Sequence, residues 1–436
     1  MQKEAKFETY KFSNGFSLAW QKTPSENIFA VLQINHGALH EQKGEEGIAH
    51  FLEHNLLEGG TSKYTPQQQS EIRDQFGYTN AGTSVSRTRI LWGMIASDLN
   101  RYLDIASEMV FRPRLDNKVI NQQREVVLRE IERAKGDPSF ADLNKFFWPK
   151  LARDRDHTYF VLGEEKVIAN VTEDQIRAFH SRGYSPNNMH LMIAGNIPTD
   201  LVERVGSYFS EQLPGSGEPI KLTSGQPLER KSVRYSAAPD LINKDNPKRS
   251  NSFLRIGIVV PDEFNIDSAA LDVTSEILGR SYTTGLKKRI RSEGGMSYDI
   301  SSSYGGNNRF GLFSIHGKVE ATRQEQAIDI IFEELHKLGT KLVDLDLVER
   351  AKRKLQYEVS SCIDSNFRKL VTLDPLNIEQ ISRMQYAFDE RPSLDQTISN
   401  ISTVTPKDIL RVTEKYLPTD RSSGRYVLLV RDPLRQ

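Results

Sequence analysis

Two histidines and a glutamate fall within five consecutive residues, His50-Phe51-Leu52-Glu53-His54. Residues four apart in a helix lie on one face about one turn apart, so His50 and His54 could present two imidazoles to one metal ion. Zinc accepts such nitrogens, and a catalytic zinc site keeps one position for water. Glu53 could reach that water without being a ligand and take a proton from it. The pentad therefore predicts a hydrolytic zinc site.

The alternative is that these three polar side chains are satisfied groups of an ordinary buried helix. Burying two histidines and a glutamate costs free energy unless a partner compensates them. A metal ion would be such a partner, so we favour the metal site. The neighbouring positions are mostly apolar, namely Ile48, Ala49, Phe51, Leu52, Leu56 and Leu57.

The segment 47–54 resembles the core motif of the pitrilysin-type (M16, inverzincin) zinc metallopeptidases, whose order is the reverse of His-Glu-x-x-His. The resemblance covers nearly the whole chain and is to the two-domain, processing-peptidase-like branch. It implies that Glu130, in the segment 124–131, is the third zinc ligand beside His50 and His54, with one Zn²⁺ per chain. Taken alone, Glu130 would be interpreted as a solvated charge on a helix.

Two further segments resemble the substrate-binding parts of that family. Asn80 and Ala81 match a strand whose exposed edge hydrogen-bonds the substrate backbone, although taken alone Asn80 would only be a turn residue. Arg291 and Tyr298 match the family's Arg and Tyr segment. There the Arg offers fixed donors to carbonyl or carboxylate groups, and the Tyr hydroxyl can steady a developing oxyanion. Taken alone, Arg291 would be a surface charge.

The chain departs from the family pattern seven positions before Glu130, where many relatives have a second glutamate and this sequence has Gln123. A glutamine cannot carry the negative charge of that outer group, so the metal affinity could differ. The sequence also has Gly59-Gly60-Thr61 where relatives usually have Gly-Thr, and Gly82 where they usually have a larger residue. None of these changes removes a ligand or the base.

The resemblance implies a zinc endopeptidase that cuts unfolded peptides or presequences, with Glu53 as the base. The family's closed chamber needs four such domains and this chain has two, which implies a homodimer. Two alternatives remain: a non-catalytic assembly subunit of the same fold, and the catalytic half of a heterodimeric peptidase. We favour the homodimer because one chain carries the pentad, Glu130 and the Arg–Tyr segment together.

Composition excludes several other classes of protein. The 436 residues carry 58 basic and 58 acidic side chains, which argues against a nucleic-acid partner held by bulk positive charge. The single cysteine, Cys362, can form neither an internal disulfide nor a Cys-based zinc site. The chain start has no apolar core of a signal peptide, and no apolar run is long enough to cross a membrane. We therefore expect a cytoplasmic protein without a membrane partner.

The elements that must position these residues repeat along the chain, which predicts two tandem homologous domains of the α/β (α+β) class. Each should be a mostly antiparallel sheet packed with helices. A segment rich in Pro, Gly and Ser at 214–230 predicts a linker between a domain at 1–213 and one at 231–436.

In the first half, the patterns predict strands at 29–34, 84–95 and 190–194, and helices at 45–57, 100–110 and 118–135. A further helix should be capped by Thr172. In the second half, they predict strands at 254–260, paired strands within 301–317, and a closing strand at 426–430. Helices are expected there at 269–278, 324–337 and 344–361, with another opened by Thr405.

Overall fold

The computed structural model describes residues 8–23, 26–135, 161–215, 233–236, 251–306, 311–361, 394–422 and 426–431. These residues form two compact units, which divide between residues 220 and 221. Most of the predicted linker, 216–230, lies outside the described residues, as does Cys362, so the predicted domain bounds stay predictions.

The first unit contains a six-stranded sheet in the order β1-β2-β6-β3-β5-β4. All its neighbouring strands are antiparallel except β2 and β6, which are parallel. Strand β4 therefore lies at one edge of this sheet. The strands are β1 (Glu8–Lys11), β2 (Ser17–Lys22), β3 (Asn27–Ile34), β4 (Tyr78–Thr83), β5 (Thr88–Ile95) and β6 (Met189–Gly195).

Helices cover one face of this sheet and share a core with it. Alternate residues of β3, including Ala30, Leu32 and Ile34, pack in the same apolar cluster as Phe51 and Leu52 from the pentad's helix. The helices are α1 (Ile48–Glu58), α2 (Pro66–Arg73), α3 (Leu99–Phe111), α4 (Asn117–Lys135), α5 (Glu165–Asn170), α6 (Glu173–Gly183) and α7 (Leu201–Phe209).

The second unit has its own apolar cluster and a five-stranded sheet in the order β7-β11-β8-β10-β9. The strands are β7 (Val233–Ser236), β8 (Asn251–Val260), β9 (Ser301–Gly306), β10 (Gly311–Glu320) and β11 (Val427–Arg431). The helices are α8 (Ser268–Ser275), α9 (Gln324–Thr340), α10 (Leu345–Ser361), α11 (Leu394–Thr403) and α12 (Pro406–Tyr416). Two π-helical segments, Glu276–Arg280 and Lys287–Glu293, also belong to it.

The two sheets have the same strand order once β1 is set aside. We count the remaining five strands of each sheet in chain order. They then lie in the order first, fifth, second, fourth, third in both sheets. The first and fifth strands are parallel, and all other neighbours are antiparallel. The predicted fold class, two mixed α/β domains with mostly antiparallel sheets, is thereby confirmed.

The predicted bounds of three elements were wrong in physically instructive ways. The helix predicted from 45 begins at Ile48, because Gly47 has a left-handed backbone with φ of 98°. The strand predicted from 84 begins at Thr88, because Ser84 and Arg87 close a tight turn through backbone and hydroxyl hydrogen bonds. The helix predicted over 269–278 changes to π-helical geometry at Glu276.

The predicted helix caps are confirmed. The hydroxyl of Thr172 accepts the N–H of Gln175, and the hydroxyl of Thr405 accepts the N–H of Asp408. None of the helices in the described ranges combines the length and apolar character that a bilayer crossing requires.

Candidate metal centre

The start of α1 fixes the direction of the helix that carries the pentad. Gly47 precedes it in the left-handed region, and a Cβ there would lie 2.6 Å from the Cα of Gly163, so only glycine fits. The carboxylate of Glu41 accepts the N–H groups of Gly47 and Ala49, each at 3.0 Å. The Glu41 oxygens thus satisfy two free amides of the helix start, and burial raises the pKa of this carboxyl to about 8 although these two hydrogen bonds lower it.

Helix α4 brings a third polar side chain to the pair of histidines. The Nε2 atoms of His50 and His54 each lie 3.6 Å from Oε2 of Glu130. Glu130 reaches this position because Val127 and Ile131, one turn before it and next to it on α4, are buried in the core shared with α1. The three residues offer ligand atoms that all lie within 4.8 Å of one another.

These three residues fit a zinc ion. Two ligand atoms that each lie about 2.0–2.1 Å from a tetrahedral zinc ion are about 3.4 Å from one another. This is close to the 3.6 Å between Nε2 of each histidine and Oε2 of Glu130. Burial, and then the neighbouring His54, lowers the pKa of His50 to about 3, so its imidazole is neutral and has a lone pair to donate. The side chains of His50, His54 and Glu130 are 12%, 18% and 41% exposed, so the cluster is partly accessible to solvent.

Glu53 lies on the same helix as the two histidines but makes a different contact. Its Oε2 accepts a hydrogen bond of 2.5 Å from the hydroxyl of Thr83, at the end of β4. Burial raises the pKa of the Glu53 carboxyl, while the hydrogen bond from Thr83 lowers it. A carboxylate with these surroundings, beside a candidate metal cluster and outside its ligand set, has the chemistry of a general base.

The edge strand β4 carries the two residues that the sequence assigned to substrate binding. Asn80 is exposed and Ala81 is half-buried, since alternate residues of β4 face outward. The N–H of Ala81 donates to Oδ1 of Asn80 at 2.9 Å, and Nδ2 of Asn80 donates to the hydroxyl of Tyr78 at 3.1 Å. An edge strand of this kind offers backbone groups to an added strand.

The second unit holds the Arg–Tyr pair. Arg291 lies in the π-helical segment 287–293, and its guanidinium carbon is 4.4 Å from the ring centre of Tyr298. Its Nη1 also donates to the hydroxyl of Tyr282 at 3.3 Å. Tyr298 is 80% exposed and Tyr282 is 58% exposed, so both rings are accessible.

The structure therefore joins four of the predicted residues, His50, Glu53, His54 and Glu130, at one place, with β4 beside them. Arg291 and Tyr298 form their own pair in the second unit.

Sequence reasoning missed Glu41, Thr83 and Tyr282. Glu41 could have been found as a carboxylate just before a helix start, but Thr83 and Tyr282 have no sequence signal of their own. Gln123 is half-buried on α4, and its effect on metal affinity stays a prediction.

Two family models match this chain, one in the first half and one mostly in the second. The family model for insulinase (peptidase family M16) matches residues 18–146, and the model for the peptidase M16 inactive domain matches residues 170–355. The pentad and Glu130 thus fall in the first match, and Arg291 and Tyr298 in the second.

Similar proteins cover almost the full chain. An uncharacterized zinc protease of Rickettsia bellii is 23% identical over 421 residues, covering 96% of this chain and 97% of the relative. The mitochondrial-processing peptidase subunit beta of Neurospora crassa is 24% identical, covering 94% of this chain and 85% of the relative. A protease from Helicobacter pylori has a similar fold, with a TM-score of 0.82 at 18% identity over 98% of this chain and 100% of that one. With both of its domain models matched along one chain, this protein belongs to the M16 peptidase family.

Proposed function

We propose that this protein is a zinc-dependent endopeptidase that hydrolyses unfolded peptides or presequences. The observation that carries the proposal is the convergence of His50, His54 and Glu130 from two helices, with Glu53 outside the ligand set on the same helix as the histidines. The names of similar proteins, zinc protease and processing peptidase, support the same class.

The chain's own residues divide the work of peptide hydrolysis. His50, His54 and Glu130 would hold the zinc ion, and that ion, when bound, acidifies water and polarises a peptide carbonyl. Glu53 takes the proton from the attacking water and returns it to the leaving amine. Arg291 and Tyr298 contribute donors that hold the substrate and its developing negative charge.

The edge of β4 suits a substrate in an extended conformation, which could pair with it as an added strand. A folded protein has its strands already paired, whereas an unfolded segment can add to an open edge through its backbone. We propose that Asn80 and Ala81 bind the substrate in this way, and that two chains form a closed homodimeric chamber. A cytoplasmic location is proposed as well, and cell fractionation with an antibody to the chain would test it.

Zinc analysis combined with a cleavage assay tests the proposal. We expect about one zinc per purified chain, as the three ligands imply. We expect cleavage of an unstructured peptide that a chelator abolishes and added zinc restores. A stably folded protein should be cut only after it is denatured. A zinc-loaded protein that cleaves no unfolded peptide would favour a non-catalytic subunit instead.

Replacing the base separates metal binding from catalysis. Glu53→Gln should keep the zinc content and lose nearly all turnover, because water can still bind but has no acceptor for its proton. The matched control is Glu132→Gln, at an exposed position on α4, which should behave as wild type. Wild-type turnover in Glu53→Gln would refute the mechanism.

A further inference from the structure

The strand end that lies against α1 carries a hydroxyl aimed at the proposed base. Residues of β4 alternate, so that Tyr78, Asn80 and Gly82 are exposed while Thr79 and Thr83 are half-buried. Thr83 is the last residue of the strand, and its Oγ1 lies 2.5 Å from Oε2 of the buried Glu53. The contact thus links the edge strand to the helix of the metal cluster.

A second threonine lies near the Thr83 hydroxyl, but farther from it than Glu53 does. The hydroxyl of Thr88 on β5 donates to the backbone carbonyl of His36 at 2.9 Å and lies 3.5 Å from the hydroxyl of Thr83. A hydroxyl has one proton to donate, and that of Thr88 is used on His36. The Oε2 atom of Glu53, at 2.5 Å, is much nearer to the Thr83 hydroxyl than the Thr88 oxygen is, at 3.5 Å, so Thr83 donates its proton to Glu53.

A fixed donor on one oxygen restricts the rotation of the Glu53 side chain. The hydroxyl of Thr83 holds Oε2, and the Thr83 backbone also contacts the Glu53 carboxylate, so the carboxylate is oriented from the end of β4. A base must lie within hydrogen-bond reach of its proton, and small errors in position cost large factors in rate.

We propose that Thr83 is a positioning residue for Glu53 and that it ties the base to the strand that receives the substrate. The inference rests on the proposed peptidase function. Because the Thr83 side chain lies on the half-buried face of β4 and its hydroxyl contacts Glu53, it should act on turnover and leave substrate affinity and zinc binding unchanged.

Three substitutions test this role. Thr83→Val keeps the shape and removes the hydroxyl, and we expect kcat to fall about 10- to 100-fold, as for loss of a hydrogen bond to a charged group, with KM within about twofold. Thr83→Ser restores a donor and should recover kcat to within about threefold of wild type. Thr79→Val is the matched control on the same face of β4, because the Thr79 hydroxyl is buried without a hydrogen-bond partner among the described residues.

Two measurements do not depend on the activity of the zinc-loaded enzyme. The zinc content of Thr83→Val should equal that of wild type. A crystal structure of metal-free Thr83→Val should show the Glu53 carboxylate turned away from its wild-type position.

A double-mutant cycle on kcat tests the contact itself. In a Glu53→Asp background, Thr83→Val should lower kcat little further, because the shortened side chain no longer reaches the hydroxyl.

Several results would overturn the inference. These are an unchanged kcat in Thr83→Val, loss of its zinc, no rescue by Thr83→Ser, or full additivity with Glu53→Asp. If Thr83→Val does not fold, Thr83→Ala is judged by the same criteria. Failure of the proposed function looks different, since wild-type protein loaded with zinc would then cleave no peptide at all.

Discussion

At the residue scale, the first unit contains a buried histidine outside the metal cluster. His36 is 4% exposed, and its ring centre lies 4.6 Å from that of His40 and 4.3 Å from that of Phe179. Burial is the largest cause that lowers its pKa, to about 3, and the charges of His40, Arg182 and His180 act in the same direction. The Nε2 atom has no hydrogen-bond partner among the described residues, and a backbone hydrogen bond with Phe179, which raises the pKa, does not offset the burial.

We expect this histidine to make the metal-free protein sensitive to acid. The unfolded chain binds a proton at His36 near its ordinary pKa of 6.5, while the folded chain does so only near 3. The unfolded state therefore binds more protons between these values. The contribution of neutral His36 to the free energy of unfolding is complete above pH 6.5 and is lost as the pH falls below that value. Between pH 7.5 and pH 5 this residue should lower the free energy of unfolding by about 2 kcal/mol.

Urea unfolding of wild type and His36→Gln across this pH range measures the effect. The variant can be less stable overall, but the dependence on pH should shrink by the amount given. His336→Gln, on the exposed side of α9, controls for the loss of a histidine. Equal acid sensitivity of wild type and His36→Gln would contradict the prediction.

The residues of the candidate site differed in how far the sequence could predict them. His50, Glu53 and His54 follow from the geometry of one helical turn, which is local. Glu130 was accessible only through family resemblance, because the packing of α4 against α1 depends on the whole core. Thr83 had no signal, since a threonine at a strand end is ordinary until the helix beside it is known.

At the scale of elements, the start of α1 determines where the histidines point. It is fixed from two sides, by the carboxylate of Glu41 on its first amides and by the close approach of Gly163 to Gly47. Sequence patterns predicted this helix but placed its start at Glu45. The period of the apolar residues does not reveal that a glycine has a left-handed backbone. It does not reveal the turn before β5 either.

A substitution at Gly47 should therefore damage the metal site by shifting the start of α1, the helix that carries the histidines. Gly47→Ala places a Cβ in a left-handed backbone and 2.6 Å from the Cα of Gly163. We expect the free energy of unfolding to fall by about 2–4 kcal/mol, from backbone strain and overpacking together. Zinc affinity should fall too, because the shift reaches His50 within one turn. Chemical unfolding and zinc titration measure the two effects.

Gly44→Ala is the matched control. Gly44 also has a positive φ, 87°, but a Cβ there would meet nothing within 4 Å. Only the backbone strain applies, so we expect a loss of about 1 kcal/mol and unchanged zinc affinity. Equal effects of the two substitutions would show that the contact with Gly163 is unimportant.

At the scale of the whole molecule, the chain repeats one architecture and gives each copy different chemistry. The first unit holds the candidate metal ligands and the base, and the second holds Arg291 and Tyr298. Each unit has an apolar cluster of its own. In the proposed homodimer, the metal residues of one chain work with the Arg–Tyr pair of the other.

Mixed dimers test this arrangement. One chain carries Glu53→Gln, and the other carries Arg291→Ala with Tyr298→Phe, so either homodimer has two damaged sites. A mixed dimer built in trans has one intact site. Because random pairing makes half of the dimers mixed, peptide cleavage should recover to roughly a quarter of wild type in the mixture. It should reach roughly half after purification through a different tag on each chain.

The control is a doubly tagged dimer in which both chains carry Glu53→Gln, which should stay inactive. If the verified mixed dimer also stays inactive, while both variants are folded and zinc-loaded, then each site is built within one chain or with a different partner.

Among the described residues, no strand pairs with the outer edge of β4, and this has a consequence for solubility. Unpaired strand edges are where the sheets of neighbouring molecules join, and many proteins cover theirs. An edge meant to admit peptides cannot be covered permanently. The carboxamide oxygen of Asn80 accepts the N–H of Ala81 and so occupies one backbone donor of this strand. We expect this contact to limit the joining of β4 edges between molecules, while an incoming peptide could displace the carboxamide.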